Sequence, residues 1–313
     1  MNLPKRVEII ESGPRDGIQN EKIFIPTDSK LQLIHALSET GIKRMEATSF
    51  VSPKHVPQMA DGAEVFRNIN KREDVQYMTL IPNKRGFDLA KDVGATSVAL
   101  FVAASETFNK KNVRMSIEES LFQLSSVVEE AKNENMFIRF HISTAFYCPY
   151  EGPVQEGTTL GLVHALEKLN VDEIVLCDTI GRANPKQVYH LFGKTLDLSP
   201  TAKIAAHFHD TYGLSKANSL AALQAGITSF DTSIGGLGGC PFAPGAAGND
   251  ATEDFVFMLH EMGIETGIDF DKLMHCVTLI KKMTNRTLTG HLHKIENPYS
   301  PENNTNDIVK QNS

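Results

Sequence analysis

The sequence is poor in cysteine: Cys148, Cys177, Cys240 and Cys276 are the only four in 313 residues. None forms a Cys-x-x-Cys pair, so a disulfide scaffold is not expected. Long apolar runs are missing as well. No stretch approaches the roughly 18 residues that a membrane-spanning helix needs. Basic residues are not in excess: 31 Lys and Arg against 38 Asp and Glu leave a formal charge of -7. That balance lacks the overall footprint of a nucleic-acid binder. The opening Met1-Asn2-Leu3-Pro4-Lys5-Arg6 has neither the apolar core of a secretory signal nor the Arg/Ser-rich helix of a transit peptide. The closing Gln311-Asn312-Ser313 is not a peroxisomal address. A reducing, cytoplasmic setting is expected.

What remains is a globular composition, 41% hydrophobic and 22% charged, which excludes wholesale disorder. Short apolar runs alternate with amphipathic stretches. Eight of the runs read as strands: Val7–Glu11, Arg44–Thr48, Gln76–Leu80, Ser97–Val102, Phe137–Ser143, Glu173–Cys177, Lys203–His207 and Thr228–Ser233. Helical spacing occurs between them, as in Ser29–Thr40, Ile117–Asn135 and Lys186–Lys194. Gly41, Gly94 and Gly226 sit just past helices, where a left-handed residue is favoured. Alternating strand and helix imply a parallel sheet, and eight such units imply a closed (β/α)8 TIM barrel. The doubly wound open sheet is the alternative, but Gly13-Pro14-Arg15-Asp16-Gly17 after the first strand does not match its Gly-x-Gly-x-x-Gly turn. Two extra C-terminal helices follow near Asn249–Met262 and Asp271–Thr284. Residues 1–295 then read as a single barrel domain, and the polar segment 296–313 as a loose tail.

In such a barrel the chemistry sits at the C-terminal strand ends. The seventh strand ends His207-Phe208-His209; alternate residues share a face about 7 Å apart, which suits a metal. Two histidines satisfied by hydrogen bonds would look the same. Asp16, after the first strand, adds a carboxylate to that pair or merely serves a tight turn. Asp plus two His admits Mg, Mn, Co or Zn. Glu46 lies inside an otherwise apolar strand, so it needs a partner, and Arg15 is a candidate. Asp178 ends the sixth strand as a site residue or a helix cap. Gly235-Gly236-Leu237-Gly238-Gly239 makes a mobile loop with Cys240 at its tip, where the thiol can reach a substrate. Asn249 is a helix cap or a metal ligand.

Together these residues resemble the 3-hydroxy-3-methylglutaryl-CoA lyase family. The resemblance rests on five motifs in register: Gly13-Pro14-Arg15-Asp16-Gly17-Ile18-Gln19-Asn20-Glu21, Ala103-Ala104-Ser105-Glu106, Cys148-Pro149-Tyr150-Glu151-Gly152, His207-Phe208-His209-Asp210-Thr211-Tyr212-Gly213, and Gly235 through Phe242. It runs from about Val7 to Thr284. It implies a metal-dependent lyase that splits 3-hydroxy-3-methylglutaryl-CoA into acetyl-CoA and acetoacetate, and a homodimer with no nucleic-acid or membrane partner. Carried over, Asp16, His207, His209 and Asn249 hold a divalent cation, Mg or Mn first, with Co or Zn as alternatives. Arg15 stabilises the enolate at the thioester oxygen, and Glu46 and Asp178 organise proton transfers. His207 also serves the hydroxyl proton, and Cys240 protonates the departing enolate. Lys110, Lys111, Asn112 and Ser116 are placed for the coenzyme A portion.

Departures bear on the acyl group. Cys177 stands where the family often has glycine, and Phe146 and Tyr147 stand where smaller residues are expected. If the two aromatic side chains face the mouth, another branched 3-hydroxy-acyl-CoA becomes a possible substrate; if they face the helices, they only pack. His141 faces either the site or the helix layer. Three rivals are a 4-hydroxy-2-oxo acid aldolase or Claisen-type synthase of the same metal-dependent group, a non-enzymatic scaffold, and a phosphate-binding barrel. The Cys240 loop and the intact motif residues favour the lyase.

Overall fold

Six of the eight expected runs contain no exposed residue, and the other two begin on exposed Lys203 and Thr228. The computed structural model describes residues 3–239 and 248–295. Its eight parallel strands are β1 (Glu8–Glu11), β2 (Arg44–Ser49), β3 (Gln76–Leu80), β4 (Ser97–Ala103), β5 (Phe137–Ser143), β6 (Glu173–Asp178), β7 (Lys203–Phe208) and β8 (Ser229–Thr232). They close into a barrel in chain order, with β8 hydrogen-bonded back to β1. Glu8 sits opposite Ser229 and Glu11 opposite Thr232, so the seam that makes the sheet a barrel is fully paired.

The expected strands lie within a residue of these. β1 starts one residue later than expected, because the Val7 amide bonds to the Glu265 carbonyl at 2.9 Å instead of joining the ladder. Helix ends moved further. The first helix spans Thr27–Ser38, following the extended Pro26. The helix expected from Asn249 begins at Thr252, because Asn249 is extended and bridged to His209. Helix Phe270–Thr284, with Asp269 as its cap, docks beside the first helix; the Asp269 amide reaches the Thr40 carbonyl at 2.7 Å. A two-residue ladder, Tyr147–Cys148 with Gly152–Pro153, was not anticipated. The segment 296–313, expected as a loose tail, lies outside the described residues. Among the described residues no helix is long and apolar enough to cross a membrane.

The strands divide their side chains between two interiors. Ile138, Phe140 and Ile142 of β5 face the helices and join the main apolar core. Arg139 and His141 of the same strand face into the barrel, which is strongly charged. The Arg139 guanidinium is fully buried and pairs with Glu173 and Asp231 at 2.5 Å and with Glu46 at 3.5 Å. Arg44 makes two bonds to Glu173, 3.0 and 2.8 Å. Burial opposes ionisation of Glu173, yet Arg139 and Arg44 hold it below the ordinary carboxylate range.

Removing one member of such a buried set strands the others. Arg139→Met is therefore expected to lower stability by about 3–5 kcal/mol, read from urea unfolding. A loss under about 1 kcal/mol would show that the interior carboxylates do not depend on it.

Candidate active site

Three segments meet at the C-terminal mouth of the barrel. The first is the turn Gly13–Gly17 after β1. Its Arg15, Asp16 and Gly17 amides all point at the Ser12 carbonyl, at 3.0, 2.7 and 3.2 Å. Wound this way, the turn throws Arg15 and Asp16 over the mouth. Arg15 Nε donates to Glu46 Oε2 at 2.5 Å, Nη2 pairs with the same oxygen, and Nη1 meets Asp16 at 2.5 Å. Glu46 thus has the partner its position demanded. Burial alone would raise its carboxyl, but Arg15, His141 and Arg139 hold it well below the usual range.

The second segment is the end of β7. The His207 and His209 rings lie tilted to each other with centroids 5.2 Å apart, and with Asp16 they present three ligand atoms within 4.8 Å of one another. Burial and neighbouring His207 push His209 down to about 4, which keeps it as the neutral imidazole a metal binds. His207 Nδ1 faces Asp231 Oδ2 at 3.2 Å, leaving Nε2 for the site. Asp231 was not singled out from the sequence. The signal was faint: a carboxylate within an expected strand, Ser229–Thr232, whose only apolar residue is Phe230.

The third segment follows β8. An antiparallel bridge sets Asn249 beside His209, and its Nδ2 reaches Asp16 at 2.7 Å. Gly238, at φ +104°, permits this approach, since a Cβ there would stand 2.4 Å from that nitrogen. His209 Nδ1 and Asn249 Oδ1 are buried with no hydrogen-bond partner among the described residues. Orphaned polar atoms beside a carboxylate are what a bound cation would satisfy, so the donor set fits a divalent ion. A second convergence, Glu46, His141 and Asp231, already has Arg139 and Arg15 as its counter-ions.

Other expected residues fall differently. Asp178 is fully buried, and its oxygens accept the Arg182 and Ala183 amides at 3.0 and 2.9 Å. It braces the loop after β6 rather than capping the next helix, whose cap is Asn184. Burial, opposed by those amides, leaves its carboxyl at about 6. The Ser116 hydroxyl is spent on the capping box of helix Ile117–Asn133. Lys110, Lys111 and Asn112 are exposed on helix Glu106–Val113, with Lys111 over the Tyr150 ring at 4.6 Å. Phe146 packs on Phe192 and Phe208 in the helix layer, so it does not reshape the mouth. Tyr147 is half-buried under Arg182. His141 faces the site, with Nε2 2.9 Å from Glu46. Cys240 lies outside the described residues.

Fold and mouth define the class: a (β/α)8-barrel enzyme with an anchored guanidinium beside a cation-ready cluster. The chain belongs to the HMGL-like family, whose model matches residues 6–280. It is 47% identical over 284 residues to the mitochondrial hydroxymethylglutaryl-CoA lyase of Gallus gallus, covering 91% of this chain and 95% of that one. The cytoplasmic 3-hydroxy-3-methylglutaryl-CoA lyase of Danio rerio is 48% identical, with 91% and 85% covered. The solved HMG-CoA lyase of Bacillus subtilis superposes with a TM-score of 0.92 at 43% identity, over 94% of this chain and 99% of that one. An HMG-CoA lyase of Acinetobacter baumannii, in complex with coenzyme A and 3-methylmalate, gives 0.90 at 39%, over 94% and 96%. The carboxyl transferase domain of Rhizobium etli pyruvate carboxylase, at 17% identity and a TM-score of 0.71, shares the fold alone.

The foot of the glycine loop rests on two buried acids. Glu11 accepts the Gly13 and Ile234 amides at 2.7 and 2.9 Å, and Glu253 accepts Gly235 at 2.9 Å. Burial pushes Glu11 up to about 7 and Glu253 up to about 8. The folded protein thus keeps protons that the unfolded chain has released above about pH 4.3. Stability contributed by these groups falls as pH rises from there to about 8. Glu253→Gln is expected to flatten part of that slope, gaining stability relative to wild type between pH 5 and 9 in urea titrations. Parallel curves for the two proteins would show that Glu253 is not protonated in the fold.

Proposed function

We propose that this chain cleaves 3-hydroxy-3-methylglutaryl-CoA to acetyl-CoA and acetoacetate. The reading is carried by one arrangement: Arg15, locked to buried Glu46, stands beside the Asp16–His207–His209 cluster. A retro-Claisen cleavage needs both halves. The tertiary hydroxyl must lose a proton while the thioester oxygen gathers negative charge.

Asp16, His207, His209 and Asn249 would hold the divalent cation, Mg or Mn. When bound, that ion lowers the pKa of a coordinated hydroxyl and fixes its position. Arg15 is aimed by Glu46, so its positive charge is in place before negative charge develops at the thioester oxygen. His207 has only Nε2 left after Nδ1 meets Asp231, so it takes the hydroxyl proton as that nitrogen leaves the cation to Asp16, His209 and Asn249. The C2–C3 bond breaks, its electrons moving to the acetyl-CoA enolate, and the ketone of acetoacetate forms. The Cys240 thiol then gives its proton to the enolate carbon, and the Gly235–Gly239 loop that carries it shields the step from water. Asp178 steadies the β6 loop beside these transfers. Lys110, Lys111 and Asn112 offer an exposed polar helix face to the coenzyme A phosphates. With Phe146 committed to packing, the aromatic argument for a different branched acyl group loses half its basis. Residues 1–295 act as one catalytic domain, in a homodimer and a cytoplasmic setting.

The test is acetoacetate formation from 3-hydroxy-3-methylglutaryl-CoA by purified protein. Product should vanish after chelation and return with Mg or Mn; metal-independent product, or none, would refute the reading. Arg15→Met is expected to lower kcat by about 100-fold with KM nearly unchanged, as for loss of a donor at developing charge. A loss confined to KM would give Arg15 a binding role instead.

A further inference from the structure

We infer that His141 is a positioning residue for the Arg15–Glu46 pair. The inference rests on the roles proposed above for Arg15 and Glu46.

The Glu46 carboxylate has two oxygens with different duties. Oε2 takes Arg15 Nε at 2.5 Å and Nη2. Oε1 takes His141 Nε2 at 2.9 Å, and Arg139 only at 3.5 Å. Without His141, Oε1 keeps a single long contact, and the carboxylate is free to turn toward Arg139. Arg15 would then lose the anchor that aims it across the mouth.

The direction of the hydrogen bonds follows from chemistry. An ionised carboxylate only accepts, so Nε2 carries a proton and donates it to Glu46. Cys177 Sγ lies 3.7 Å from the other ring nitrogen, Nδ1. Burial raises the Cys177 thiol well above its ordinary value, so it keeps its proton and can donate; its other acceptor is the Val175 carbonyl at 3.8 Å. Cys177 belongs to a small apolar cluster with Val175 and Ala205, separate from the main core. A chain of bonds therefore runs from β6 through β5 and β2 to the turn after β1. The His141 ring also meets His207 edge-on at 6.4 Å, which limits its rotation.

The test is steady-state kinetics of the metal-loaded, full-length protein with 3-hydroxy-3-methylglutaryl-CoA. His141→Phe fills the space without a donor. It should lower kcat about 10- to 100-fold, the range for a lost bond to a charged group, and leave KM within about threefold. His141→Gln can place an amide N–H near the Nε2 position and should recover most of the rate. His141→Asn, too short to reach Glu46, should not. Melting temperatures of the Gln and Asn variants separate positioning from folding, should His141→Phe prove insoluble. Equal rates for Gln and Asn, or a wild-type kcat for His141→Phe beside an inactive Glu46→Gln, would overturn the inference alone. Wild-type turnover by Glu46→Gln would overturn the role of Glu46 and this inference with it.

Discussion

The structure hangs on a charge that has nowhere else to go. Arg139 enters the barrel from β5 with its guanidinium fully buried, and three carboxylates from β2, β6 and β8 close around it. Isolated, any of these ions would be very costly to bury. Together they compensate one another, and the strands that carry them are held in fixed register. Carbon packing between strands and helices drives collapse, and a slip by one residue would turn its apolar side chains inward and every interior charge toward the helix layer.

The same network extends upward into the site without a break. Glu46 touches Arg139 below and Arg15 above, and Asp231 touches Arg139 below and His207 above. The residues that aim the guanidinium and the imidazole are thus anchored in the fold itself. Rigid support of this kind keeps catalytic groups near their working geometry with little reorganisation. Glu11 does a similar task sideways, tying the turn that bears Arg15 and Asp16 to the loop that leads towards Cys240. A Cβ on Gly13 would stand 2.6 Å from its oxygen and 2.8 Å from the Ile234 side chain, so a larger residue would have to displace that tie.

Much of this was legible in the chain. The eight strands could be found because short apolar runs alternate regularly with stretches of helical spacing. Glu46 announced itself as a charge in such a run, and His207 and His209 as a pair with strand spacing. Helix ends were less legible, since caps compete with tertiary bonds: Asn249 reads equally well as a cap, but its bridge to His209 draws it into the site. Ser116, read as a substrate contact, is a capping residue, and its Ser-x-x-Glu pattern with Glu119 carried that signal.

By itself, then, the sequence determined the barrel, its mouth and the kinds of side chain gathered there, because periodicity and local charge are properties of neighbours along the chain. Only the tertiary structure decided which charges meet. Arg139 and Asp231 are 92 positions apart, and Arg15 and Glu46 are 31. Whether Phe146 looked at substrate or at Phe192, and whether His141 faced the helices or Glu46, depended on how each strand is turned where the barrel closes. Closure is a property of all eight strands together, and no local pattern encodes it.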